Sequence, residues 1–388
     1  MNLIDGTHVE AVRRIASEVA GPAADSVDRE GRFPDEAISA LKKGHFMSAF
    51  APKSSGGLGC GMVGLAAMCE ALGEHCASAA MVFAMHQIQV ACIVRHGMSQ
   101  AFFRAYVAEL IERQNVVASV TSEVGIGGEM RTSLCAVETR GDRFGLVKDA
   151  STISYGAQAD DLLVTARRAP DAPSSDQVLV LVRKADYSLE KKGEWDSLGM
   201  RGTCSPPFKM TSEGHSDQVL SQPFADIASH TMVPFSHILW ASCWLGIATA
   251  AVTRARAFVR VQARAKPGTT PPTALRLAEV VSTLQSMRAN VDHVTTECEA
   301  LMTSQEGTDA LSSIAFALKM NNLKVSSSQL VVQIVQQALL ICGILGYKND
   351  SKFAVGRHLR DAHSAALMVG NDRIYATNAS MLLVLKDD

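Results

Sequence analysis

Aromatic side chains are scarce in this chain, at 5% of 388 residues. Alanine, leucine, valine and methionine carry the apolar content instead, within a hydrophobic share of 47%. That choice favours packed helices over an all-β fold. Excess charge is also lacking. The 37 basic and 39 acidic residues leave a net charge of −2, which gives no footprint for nucleic acid or an anionic membrane. The sequence shows no apolar run that we read as long enough to span a bilayer, and no charged and apolar leader regions at its start. We therefore expect no membrane insertion and a cytoplasmic protein. The nine cysteines (60, 69, 76, 92, 135, 204, 243, 298 and 342) form no Cys-x-x-Cys pair, so reduced core thiols are expected rather than disulfides or metal. His-x-x-x-His is absent as well, and no metal site is expected. Without βαβ alternation or a Gly-x-Gly-x-x-Gly strand–turn–helix unit, a dinucleotide fold is disfavoured.

What is present has a clear order. Val9, Val12, Ile15, Ala16 and Val19 recur at helical spacing, and segments 34–43 and 63–98 continue the pattern. From about residue 116 the texture changes to short apolar runs, at 115–120, 134–137, 162–165 and 178–182. Gly, Asp, Ser and Pro bound them, as expected of strands. From about 226 long helices return. Leu277, Val280, Leu284, Met287, Val291 and Val294 share one face, and segments 235–264, 309–343 and 358–385 complete a four-helix bundle. The expected fold is mainly α with a central β-domain. Its parts are an N-terminal helical domain (1–115), a small β-domain (116–225) and a C-terminal four-helix bundle (226–388).

Several motifs in this order carry a resemblance. Ala51-Pro52-Lys53-Ser54-Ser55-Gly56-Gly57-Leu58-Gly59 is a loop of turn formers. Gly199-Met200-Arg201-Gly202-Thr203 lies in the β-domain. Cys342-Gly343-Ile344-Leu345-Gly346-Tyr347 precedes Arg360-Asp361. Together they resemble the acyl-CoA dehydrogenase family, from about Gly56 to Ser380. The resemblance implies FAD, a flavin site shared between subunits of a homodimer or homotetramer, and oxidation of an acyl thioester carried by CoA or an acyl-carrier protein. It leaves the electron acceptor, or a flavin reductase, unnamed.

The resemblance also implies site residues. The loop Thr121-Ser122-Glu123-Val124-Gly125-Ile126-Gly127-Gly128-Glu129 lies where the family contacts the flavin ring and pyrophosphate. Thr121, Ser122, Gly127 and Gly128 are the expected contacts there. Small residues let backbone N–H groups approach a phosphate; an ordinary Gly-rich turn is the alternative. Ser154 stands at a hydroxyl position beside the flavin, with Thr152 where a tryptophan is common. Arg264 matches an arginine that reaches the pyrophosphate of a neighbouring subunit, although the threonine and phenylalanine that usually follow it are absent.

The catalytic base is missing. The family's glutamate removes the α-proton of the thioester, and Val369 occupies its place. The second known base position, on the first bundle helix, reads Ser236-His237. Three candidates remain: Asp372, three residues on and expected along the same helix; His237, with a suitable ordinary pKa; and His86, from a region that lines the family's active site. Oxygen-activating relatives of this fold lack the glutamate. A flavin-dependent monooxygenase, or a catalytically silent subunit beside an active paralogue, is therefore the alternative to a dehydrogenase.

Overall fold

The computed structural model describes residues 3–126, 129–304 and 307–385. The expected mainly helical fold with a central β-domain is the one that forms. Six helices come first: α1 (Leu3–Ile15), α2 (Gly21–Glu30), α3 (Asp35–Lys43), α4 (Met62–Gly73), α5 (Ala77–Gly97) and α6 (Ala101–Arg113). Seven strands follow: β1 (Val117–Val120), β2 (Glu138–Arg140), β3 (Arg143–Ala150), β4 (Asp161–Arg167), β5 (Gln177–Arg183), β6 (Tyr187–Lys191) and β7 (Phe208–His215). The remaining helices are α7 (Phe224–Ile227), α8 (Val233–Ala265), α9 (Thr273–Thr303), α10 (Gly307–Leu311), α11 (Ile314–Cys342), α12 (Ile344–Tyr347), α13 (Gly356–His363) and α14 (Asn371–Leu382).

The strands form two sheets, ordered β1-β4-β5 and β2-β3-β7-β6. The pairing of β1 with β4 is parallel, and the other pairings are antiparallel. β4 and β5 are continuous apolar runs because both faces are covered. β3 and β7 are half-exposed, and charged residues alternate with buried ones along them. That is why an apolar-run reading overlooks them. The run at 134–137 is no strand: Ala136 makes one isolated bridge to Arg167.

Three helical stretches are long and apolar enough, by length and composition only, to cross a membrane: Ala77–Gly97, Phe224–Ala265 and Ile314–Cys342. The sequence reading had expected none. In the first two, 89% and 94% of the apolar window is buried inside the protein, so their hydrophobicity is accounted for by the core. α5 is buried on nearly every side, as a helix apolar all round must be.

The three parts meet at the Gly-Met-Arg-Gly turn. The Met200 N–H donates to Asp361 Oδ1 at 2.7 Å, and Arg201 Nε donates to the Asp28 carbonyl at 2.8 Å. Arg360 pairs with the Asp28 carboxylate. A Cβ on Gly199 would stand 2.2 Å from the Arg360 carbonyl oxygen, and one on Gly202 would stand 2.3 Å from Val27. The motif therefore needs glycine at both places for contact between domains.

The expected fourth bundle helix is broken. α13 stops at His363 and α14 starts at Asn371, and between them Val369 adopts φ 47°. Left-handed backbone is a genuine outlier for a β-branched residue.

Candidate functional site

A cavity of about 640 Å³ lies between the β-domain and the helices. Two walls of opposite character enclose it. The β-domain wall is hydroxyl-rich, with Ser119, Thr121, Ser122, Thr152 and Ser154. The helical wall is largely apolar. It includes Met85, Ile88 and Gln89 of α5, Met232 just before α8, His237 and Trp240 of α8, Phe316 and Met320 of α11, and Val369. A π-helical turn, Ala228–Met232, leads into α8 and lines the cavity. Such turns recur at functional sites.

Hydrogen bonds fix the hydroxyl wall. Ser122 Oγ donates to the Thr152 carbonyl at 2.6 Å and accepts from the Thr152 N–H at 3.2 Å. Ser205 Oγ donates to Ser154 Oγ at 2.8 Å and is paired with Thr203 Oγ1 at 2.8 Å. Glu123 anchors the loop from beneath. Its buried carboxylate accepts from Ser133 Oγ at 2.8 Å, the Leu134 N–H at 3.1 Å and the Cys135 N–H at 2.7 Å. Lys148 lies 3.5 Å from it. Burial pulls the Lys148 ammonium below its ordinary pKa, and the Glu123 charge opposes that shift.

The structure thus brings Thr121, Ser122 and Ser154 to one wall of one cavity. Gly127 and Gly128 lie outside the described residues. Arg264 lies elsewhere: it is exposed near the far end of α8. Twenty-seven residues of helix separate it from His237, a rise of about 40 Å.

Val369 lines the cavity on the helical side. Lys324 of α11 stands behind its loop. The buried ammonium donates to Asn371 Oδ1 at 2.7 Å, lies 3.4 Å from the Val369 carbonyl oxygen and sits 5.9 Å from the Trp244 ring centre. Burial lowers its pKa to about 8.

Asp372 stands apart from the cavity. It is exposed in the first turn of α14 and does not line the cavity. The expected helical offset from Val369 does not apply, because Val369 lies before the helix in left-handed backbone. His86 does not line the cavity either. Its Nε2–H donates to the Met47 carbonyl at 2.6 Å and its Nδ1 accepts from the Val117 N–H at 3.0 Å. Both ring nitrogens are spent joining α5 to β1 and the loop after α3, and burial lowers the pKa to about 4.

His237 does line the cavity. Its Nδ1–H must donate to the Met320 carbonyl, 3.0 Å away, because a carbonyl only accepts. That fixes the neutral tautomer with a lone pair on Nε2. Burial, chiefly, and the Lys324 charge lower its pKa to about 4. It is a hydrogen-bond acceptor at neutral pH and a weak base.

Reading the sequence missed four residues here. Glu129 is the one carboxylate among the described lining residues, and its Oε1 accepts from the Arg131 N–H at 3.0 Å. It comes from the β-domain side of the cavity. Lys324, Gln89 and Trp240 were also passed over. A polar side chain inside an otherwise apolar helical run, as in Leu323-Lys324-Val325 or Ile88-Gln89-Val90, was the available signal.

The residues fit a planar, polar-edged ring system such as a flavin. Hydroxyl groups cluster on one wall, and an apolar wall rich in methionine faces them.

The family profiles described as acyl-CoA dehydrogenase, N-terminal domain, and acyl-CoA dehydrogenase, C-terminal domain, match residues 7–114 and 228–381. A probable acyl-CoA dehydrogenase of Mycobacterium tuberculosis is 24% identical over 382 residues, 96% of this chain and 94% of that one. Among solved structures, butyryl-CoA dehydrogenase from Megasphaera elsdenii superposes with a TM-score of 0.84 at 18% identity, covering 99% of each chain. The dibenzothiophene monooxygenase TdsC from Paenibacillus sp. A11-2, in its FMN-bound form, gives 0.82 at 18% identity, covering 97% of this chain and 96% of that one. At such identities the superpositions show the fold alone.

Proposed function

From the premise that the chain belongs to the acyl-CoA dehydrogenase family, we propose that it is a flavin-dependent monooxygenase built on that family's fold. One observation carries the reading. The cavity keeps its hydroxyl wall, but its helical wall presents no carboxylate among the described residues. Oxidising a thioester at Cα–Cβ needs a base at Cα on the side away from the flavin. On the helical side Val369 lines the cavity, Asp372 does not line it, and Glu129 comes from the β-domain. Neutral His237, with a pKa of about 4, is a poor base for a carbon acid.

Oxygenation needs no such base. A reduced flavin held there would supply the two electrons that monooxygenation requires, one atom of dioxygen going to the substrate and the other, with two protons, to water. The chain's own residues would bind and orient. Thr121, Ser122, Thr152 and Ser154 hold the ring edge, and the Met85, Met232 and Met320 side chains keep water from the reacting face. We propose FAD as the bound form, with Arg264 serving the pyrophosphate of a partner subunit. That makes a homodimer the smallest complete unit, fed by a separate flavin reductase in a cytoplasmic setting.

The second reading is acyl-CoA or acyl-carrier-protein dehydrogenation, favoured by the full-length similarity to acyl-CoA dehydrogenases. The test is to reduce the flavin-loaded protein, admit oxygen with a cavity ligand, and weigh the products. A mass gain of one oxygen is expected. Complete reoxidation to hydrogen peroxide with every ligand tried would contradict the proposal.

A further inference from the structure

The charges around the cavity do not balance. Among the described residues that line it, two are arginines, Arg131 and Arg373, and one is a carboxylate, Glu129. The lining imidazole, His237, is neutral at pH 7. The two arginines come from different parts of the fold. Arg131 stands on the loop between β1 and β2, and Arg373 in the first turn of α14. The Arg131 loop is tied down at two points. Buried Gln177 of β5 donates through Nε2 to the Met130 carbonyl at 3.1 Å, and the Arg131 N–H donates to Glu129 Oε1 at 3.0 Å. The Arg131 guanidinium makes no ion pair among the described residues. The start of α14 is tied to Lys324, whose ammonium donates to Asn371 Oδ1 at 2.7 Å. This buried cation has neutral partners only: an amide, a carbonyl and the face of the Trp244 ring. A third positive charge thus stands behind the wall that carries Val369.

A concave site lined by one sign of charge draws in the other. We infer that Arg131 and Arg373 hold an anionic group, a phosphate or a carboxylate, of the molecule that fills the cavity. Arginine suits either group, because its planar fork offers paired N–H donors to their oxygens. Arg131 reaches in from the β-domain and Arg373 from the helices, so an anion held by both would join the two walls. Two molecules could bring such a group. The flavin has the phosphate at the end of its ribityl chain, and a substrate could carry a carboxylate or phosphate of its own. Arg264 is not among the lining residues and keeps its proposed place at the pyrophosphate of a partner subunit. The assignment rests on the proposed reading of this cavity as the site of flavin and substrate, and names the chemistry that reading left open.

Two pairs of probes, matched in shape and different in charge, test it. FMN and riboflavin differ by the phosphate. 4-Methylbenzoate and 4-methylbenzamide differ by the carboxylate. The flavins are titrated into flavin-free protein by fluorescence quenching, and the aromatic pair into flavin-free and FMN-loaded protein by calorimetry. Wild type is compared with Arg131→Gln and Arg373→Gln. Both side chains are exposed, so an unchanged melting profile is expected of each variant and is checked. In at least one pair, wild type should prefer the anion, and each variant should lower that preference by about three- to tenfold. A fall in the FMN-to-riboflavin ratio assigns the arginines to the flavin phosphate. A fall in the benzoate-to-benzamide ratio assigns them to the substrate. Unchanged ratios in both pairs would overturn the assignment, as would failure of all four probes to bind at millimolar concentration. A fall at only one arginine would overturn the joint grip. The flavin reading fails separately: if neither flavin binds while the aromatic pair still senses both arginines in flavin-free protein, the anion site stands and the flavin does not.

Discussion

The Lys324 ammonium lies 3.4 Å from the carbonyl oxygen of Val369 and donates to Asn371 Oδ1 at 2.7 Å. A buried cation thus holds the turn between α13 and α14 from behind, at a residue that lines the cavity. The turn is kept in a backbone conformation that valine resists, with φ 47°.

Relief of that conformation is measurable. Left-handed backbone costs a non-glycine residue of order 1–3 kcal/mol, and asparagine tolerates it better than valine. Val369→Asn should raise stability by about 1 kcal/mol, seen as a higher urea midpoint at unchanged slope. A lower midpoint would show that the Val369 side chain contributes more through packing than its backbone loses.

His86 and His237 should make the protein acid-sensitive. Both pKa values fall from 6.5 to about 4 on folding. A depressed folded value means the unfolded chain takes up the proton first. The stabilisation is therefore complete above about pH 6.5 and is lost as pH falls towards 4. Each histidine accounts for roughly 3 kcal/mol across that window. His86→Gln should be less stable at pH 7, because one of two buried backbone partners loses its bond, and its pH dependence should be shallower. Urea denaturation between pH 4.5 and 7.5 checks both; parallel curves for variant and wild type would refute the role given to His86.

Glu123 should matter to flavin loading without touching flavin. Its carboxylate accepts three hydrogen bonds under the Thr121–Gly125 loop and faces buried Lys148. Removing one partner of a buried pair typically costs about 3–5 kcal/mol. Glu123→Gln should lower both the denaturation midpoint and the flavin occupancy of purified protein. Unchanged occupancy would detach the loop from the flavin site.

Arg264 distinguishes the flavin forms. A charge-assisted phosphate contact from a partner subunit should be felt by FAD. Arg264→Ala should weaken FAD by about tenfold and leave FMN unaffected, measured by flavin fluorescence quenching. Equal effects on both, or none, would remove the shared-site proposal.

Much of this was legible in the sequence, and the remainder has identifiable causes. Long apolar helices and the continuous strands β4 and β5 announced themselves by run length. β3 and β7 did not, since their charged outward residues break the runs. Val369 was singled out by motif spacing, and it lines the cavity. Its backbone conformation was not legible, because nothing local predicts valine at positive φ, and so Asp372 was expected on one helix with Val369, which lies before that helix begins. His86 and His237 look alike as letters. Only the three-dimensional neighbours show that one has both nitrogens satisfied by backbone, while the other spends Nδ1 on the Met320 carbonyl and lines the cavity. Gln89 and Trp240 were hidden inside helices read for their apolar face.

The account turns on the absence of a base for the α-proton. The direct measurement is anaerobic mixing of oxidised, flavin-loaded protein with saturated acyl-CoAs of short to long chain, following flavin absorbance. Loss of a general base typically costs about 10²–10⁴-fold. We predict no bleaching on the timescale of seconds, and no change on Asp372→Asn or Glu129→Gln. Rapid bleaching by any acyl-CoA, abolished by one of those substitutions, would contradict the account and return the protein to thioester dehydrogenation.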